Sequence, residues 1–153
     1  MMRFQCLIIL FLVTPLTAFA SLGQGPDSLE KDRVALHGER GGNLSLQSAG
    51  AAYKSYEMQV GGTTVKELIG SDGTVFAITW RGLKYPSLES LLGEYYLEFA
   101  AEDARRAKGR QFARQPIVTN QIKVVYGGHF PALFGYAILN GKLPPGVREV
   151  DLL

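Results

Sequence analysis

Cysteine is nearly missing from this 153-residue sequence: its one thiol, Cys6, sits in an apolar run near the amino terminus. Disulfides, thiolate catalysis and cysteine-based metal sites are therefore outside what the rest of the chain offers. Charge of one sign is also missing, since 16 Lys and Arg stand against 14 Asp and Glu for a formal charge of +2. A polyanion binder built on bulk charge needs a clear basic excess, which argues against nucleic acid as a partner. Histidine is scarce, with His37 and His129 alone, and there is no H-E-x-x-H pair, G-x-S-x-G elbow or Walker loop. Long hydrophobic runs are missing too: nothing reaches the ~20 apolar residues that span a bilayer as a helix.

What is present begins with an export pattern. Arg3, the apolar run CLIILFLV from Cys6 to Val13, the breaker Pro15 and the small residues flanking Phe19 in Ala18-Phe19-Ala20 read as a cleavable signal peptide over residues 1–20. Cleavage is expected between Ala20 and Ser21. Losing Arg3 and Cys6 leaves 15 basic against 14 acidic residues and no cysteine, and Ser21 stands where a lipoprotein needs one. The expected product is periplasmic or secreted, without a transmembrane span. Hydrophobic residues make up 46% of the chain and charged residues 20%, enough apolar content for one folded domain. The 18 glycines exceed the usual share of roughly 7%, which favours tight turns over a helical bundle.

Residues 21–51 are rich in Gly, Ser, Gln and charge and read as a flexible leader with one candidate short helix from Ser28, its cap, to His37, stopped by Gly38. Residues 52–142 carry the periodicity of a single α+β domain. Tyr56, Met58 and Val60 alternate with polar neighbours, Gly61-Gly62 supplies a turn, and TTVKELI returns as a second strand. Ser71-Asp72-Gly73 turns into a third strand, TVFAITW, with Phe76, Ile78 and Trp80 expected on one face. The period then becomes helical. Ser87 is the expected N-cap, and Leu88, Leu91, Leu92, Tyr95 and Phe99 form an apolar stripe on a helix to about Lys108, ~33 Å long. Ile117 to Tyr126 and Phe130 to Leu139 read as two more strands around a Gly127-Gly128-His129 turn, and residues 143–153 as an extended Pro-rich tail. The expected architecture is an antiparallel sheet of about five strands in β-β-β-α-β-β order, with one long amphipathic helix packed on one face.

Few residues invite a chemical role. His129, flanked by glycine at an expected hairpin tip, offers an exposed imidazole to a ligand or metal. A metal site needs three or four ligands, however, and no second histidine is near in sequence. Arg105, Arg106, Lys108, Arg110 and Arg114 make the one dense basic run, with Phe112 inside it. Contact with an anionic partner is weighed there against helix electrostatics, because acids early and bases late suit the macrodipole and Glu102 is placed to pair with Arg106. Trp80, the sole tryptophan, is either a partner or glycan platform or the closing residue of a core. Glu94, Glu98 and Glu102 recur every fourth residue and are better explained as a solvated helix face than as paired catalytic carboxylates.

Taken in order, LGQGPDSLEKDRVALHG, GGTTVKELIGSDGTVFAITWRG, YPSLESLLGEYY, VVYGGHFPALFGYA and LPPGV resemble an exported Gram-negative bacterial family catalogued as domain of unknown function 2844. The resemblance covers nearly all of residues 21–153 and is most specific from Thr63 to Tyr96. It implies a signal peptide, a single small exported domain, and no enzyme activity, cofactor or catalytic residue to carry over. Two function classes follow. The favoured one is a non-catalytic cell-envelope accessory or binding module that meets an envelope protein or a glycan through Trp80, His129, Arg105, Arg106 or Arg110. The other is a small envelope hydrolase using His129 with a carboxylate brought close by folding. The sequence leaves the oligomeric state open.

Overall fold

The structure, a computed structural model, describes residues 22–40, 45–46, 53–107 and 115–152. The signal peptide, its Ala20/Ser21 cleavage point and Arg110 lie outside these residues. In chain order the elements are α1 (Asp27–Ala35), the short strands β1 (Glu39–Arg40) and β2 (Ser45–Leu46), and the long strands β3 (Tyr53–Val60), β4 (Thr63–Gly70) and β5 (Val75–Gly82). Then come α2 (Leu88–Leu92), a 3-10 turn at Gly93–Tyr95, α3 (Tyr96–Ala107), β6 (Ile117–Val118), β7 (Ile122–His129), β8 (Ala132–Leu139) and a terminal 3-10 turn at Glu149–Leu152.

The strands form one antiparallel sheet in the order β1-β3-β4-β5-β8-β7-β6, with β2 also paired to β3. The α+β class and the succession of five long strands around a helical span agree with the sequence pattern; three two-residue strands are added. Strand β8 lies beside β5, and β7 lies outside it. One predicted strand is two: Ile117 to Tyr126 folds back at Thr119, whose backbone N–H donates to the Ile122 carbonyl at 2.9 Å. The predicted Gly127-Gly128-His129 turn belongs to β7, and the chain reverses at Phe130–Pro131, joined by a cis peptide bond. Gly128 makes that pairing feasible, since its φ is 91° and a Cβ there would come within 2.2 Å of the Ala132 carbonyl oxygen.

The helices cover one face of the sheet. Met58, Val65, Ile78 and Trp80 from the strands meet Leu91, Leu92 and Phe99, with Leu88 and Tyr95 packed against them. The whole predicted stripe is therefore used, each fully buried Leu or Phe contributing ~1.5–3 kcal/mol. Ser87 caps α2 as expected, its hydroxyl accepting the Ser90 N–H at 3.3 Å. The helix is interrupted at Gly93, where φ 48° and ψ −114° break the α ladder. The described first part of the segment read as a flexible leader, residues 22–40, also joins this layer. Leu22, Leu29 and Leu36 are buried, and Gly23 N–H to Val75 O and Val75 N–H to Gln24 O, both 2.9 Å, tie the chain to the start of β5. Ser28 does not cap α1; its hydroxyl donates to the Gly25 carbonyl at 2.8 Å, one turn back.

The second face carries its own apolar cluster, and Phe76 belongs to it rather than to the face of Ile78 and Trp80. A bulge is responsible: the register steps from Leu68↔Ala77 to Ile69↔Val75, leaving Phe76 as the extra residue. Turned to the second face, its ring meets Tyr53 edge-on at 5.7 Å. The Pro-rich tail covers this cluster with Leu143, Val147 and Leu152. It is held there by Glu149, which accepts from Lys123 Nζ at 2.5 Å and from the Tyr136 hydroxyl at 3.3 Å.

Candidate functional site

The residues singled out in sequence separate into different places. Trp80 is 1% exposed in the helix-covered core, so it is not a surface platform. Alternation along β5 turns it inward, and Gly135 opposite leaves room for the indole. Arg105 and Arg106 share Glu102, at 2.5 and 3.3 Å, and Arg106 also donates to the Gln115 carbonyl at 3.1 Å. The Arg105 hydrogen bond leads in holding the Glu102 carboxyl below its usual range. These arginines thus serve helix α3 and its tie to Gln115. His37 is an exposed residue at the end of α1 with φ 51°. His129 is exposed at the end of β7.

On the helix-covered side, Tyr126 joins α3 to the sheet. Its hydroxyl donates to the Asp103 carboxylate, and its ring meets Phe99 at 6.2 Å and Tyr85 at 5.7 Å. Burial, followed by that hydrogen bond, pushes the Tyr126 phenol well above its ordinary pKa. A phenol held so firmly in its neutral form is a structural donor and a poor proton acceptor.

The second face is different. Its far half is covered by the tail, while the half toward the Gly61–Gly62 and Phe130–Pro131 turns is left open by the described residues. Here the ladder pairs Gln59↔Thr64, Thr64↔Arg81, Arg81↔Phe134 and Phe134↔Gly127 make one row across five strands. Because residues directly opposite in antiparallel strands share a face, all of these side chains look the same way. Gln59 Nε2 donates to the Thr64 hydroxyl at 2.8 Å. In the next row, Lys66 pairs with Glu57 at 3.2 Å, beside Thr79. Two depressions flank the row and both are lined by Arg81: a polar one of about 400 Å³ with Glu57, Thr64, Lys66 and Thr79, and a less polar one of about 630 Å³ with Gly127, His129 and Phe134.

Arg81 is exposed and has no ion-pair partner among the described residues, whereas Lys66 and Lys123 on the same face are paired. The Phe134 ring lies across Gly127, its Cζ 3.5 Å from where a Cβ of Gly127 would stand. Neither residue stood out in the sequence. Alternation from the inward-facing Ile78 and Trp80 does turn Thr79 and Arg81 outward, but the pairing of Phe134 with Gly127 needs the register. Among the described residues, no group of three or more His, Cys, Asp or Glu side chains gathers to hold a metal, and no helix is long and apolar enough to cross a membrane.

A family model described as "Protein of unknown function (DUF2844)" matches residues 18–152. The chain belongs to the DUF2844 family. The match takes in every described element from α1 to the terminal turn, so the open half-face is part of the DUF2844 domain itself. No curated protein and no solved structure matches the chain.

Proposed function

We propose that this DUF2844 protein is an exported, non-catalytic binding module of the cell envelope, and that the open half of its second sheet face is the contact surface. Export is supported by the Arg3, apolar-run and Ala18-Phe19-Ala20 pattern. The observation that carries the binding reading is Arg81, an exposed guanidinium at the junction of two depressions with no ion pair among the described residues. A concave surface with a few convergent polar groups is the usual form of a ligand site. The hydrolase reading has less support, because the described residues lining the depression around His129 include no Asp, Glu, Ser, Thr or Cys to act with the imidazole. Native mass spectrometry of the protein purified from its own periplasm tests both parts. The expected spectrum starts at Ser21 and carries a bound species that Arg81→Gln loses. An uncleaved chain contradicts export, and a species retained equally by Arg81→Gln contradicts the assigned surface.

A further inference from the structure

We infer that the groove centred on Arg81 binds an acidic saccharide, with a sugar carboxylate on the Arg81 guanidinium and a pyranose face on the Phe134 ring; this rests on the binding reading above. Three observations select that chemistry. First, Arg81 supplies one positive charge that no ion pair compensates among the described residues, and its planar fork suits a carboxylate bidentately. The neighbouring depression already contains the Glu57 carboxylate on Lys66 and the Asp151 carboxylate on Arg148, which opposes the second negative charge of a phosphate monoester.

Second, the Phe134 ring reaches over Gly127, its Cζ and Cε1 3.5 and 3.9 Å from where a Cβ there would stand. The ring is half-buried and lines the same depression as Arg81. An aromatic ring on one side of Arg81 and uncharged hydrogen-bonding groups on the other, here Thr64 and then Gln59, complement a saccharide, which presents C–H groups on its ring faces and hydroxyls on its rims. Third, the groove lies on a face of the sheet and not along an edge. The β4, β5 and β8 backbones there are already paired to their neighbours, so an acidic peptide cannot gain the main-chain ladder through which extended segments usually add to a sheet.

The test is calorimetric titration of the purified protein with tetragalacturonate, its neutral methyl ester and tetraglutamate, accompanied by backbone NMR. Tetragalacturonate is expected to bind and to shift the amides of Thr64, Arg81 and Phe134. Methyl esterification and Arg81→Gln are each expected to weaken it about tenfold or more, the loss of one charge-assisted bidentate contact. Phe134→Leu, which keeps an apolar cover over Gly127 but removes the flat ring, is expected to weaken it severalfold, while Arg105→Gln on α3 leaves it unchanged. Equal binding of the methyl ester, full affinity in Arg81→Gln, or no tetragalacturonate binding at about 10 mM overturns the inference. Tetraglutamate binding as tightly at the same amides also overturns it, yet leaves the binding reading standing with an acidic peptide as ligand. That reading falls only if the native species proves independent of Arg81.

Discussion

Trp80 and Gly135 stand opposite each other in the β5–β8 ladder, and the indole fills the space a side chain at position 135 would need. A Cβ on residue 135 would lie 2.4 Å from Trp80 Cζ2 and 2.6 Å from the Val125 carbonyl oxygen. The indole is buried and the carbonyl is backbone, so neither yields cheaply. Gly135→Ala is expected to cost ~1–3 kcal/mol by overpacking. Urea unfolding followed by the fluorescence of the sole tryptophan measures this, and an unchanged midpoint contradicts the packing described.

Phe76 is 1% exposed on the second face, whereas Phe130 at the hairpin tip is 74% exposed. Phe76→Ala should therefore destabilise by ~3–5 kcal/mol, as a large cavity in a packed cluster does. Phe130→Ala should change stability by no more than ~0.5 kcal/mol. Chemical denaturation of the two variants side by side checks the contrast; similar losses would mean that the bulge does not direct Phe76 inward.

The Tyr126 phenol is raised by burial first and by its hydrogen bond to Asp103 second. The unfolded phenol ionises near pH 10, and the folded one ionises higher. Its contribution is therefore whole below about pH 10 and is lost as pH rises from there through the folded value. Tyr126→Phe is expected to lower stability at neutral pH by ~1 kcal/mol and to make the alkaline fall in stability shallower. The fall does not vanish, because burial raises Tyr85, Tyr95 and Tyr136 as well. Thermal unfolding between neutral and alkaline pH gives both readings, and an unaltered alkaline slope contradicts the assignment.

Glu149 fastens the carboxyl-terminal tail through Lys123 and Tyr136. Since the Lys123–Glu149 pair is partly exposed, Glu149→Gln is expected to cost no more than ~1 kcal/mol globally. Its larger effect is local: amide exchange in residues 143–152 should quicken while β5 and β8 keep their protection. Uniform acceleration across the sheet would show the tail to be integral to the global unit.

Legibility in the sequence followed the range of the interactions. The Gly61–Gly62 and Asp72–Gly73 turns, the long strands and the Leu88-to-Phe99 stripe depend on neighbours a few residues apart, and local periodicity reveals them. The bulge at Phe76 reverses a face without any local mark, because VFAITW alternates regularly as written. Leu22, Leu29 and Leu36 are too sparse among polar residues to announce burial, yet all three meet the sheet. The candidate site was the least legible part. Its central row takes one residue from each of five strands, and Arg81 looks unremarkable beside the conspicuous Trp80 until the register turns one outward and the other inward.

The most direct measurement is the affinity of tetragalacturonate for wild type, Arg81→Gln and Arg105→Gln, each verified as folded by circular dichroism. A loss of about tenfold or more confined to Arg81→Gln is predicted, since Arg105 is occupied by Glu102 on the far side of the sheet. Equal affinities in all three proteins would contradict the assignment of the Arg81 groove as the ligand site.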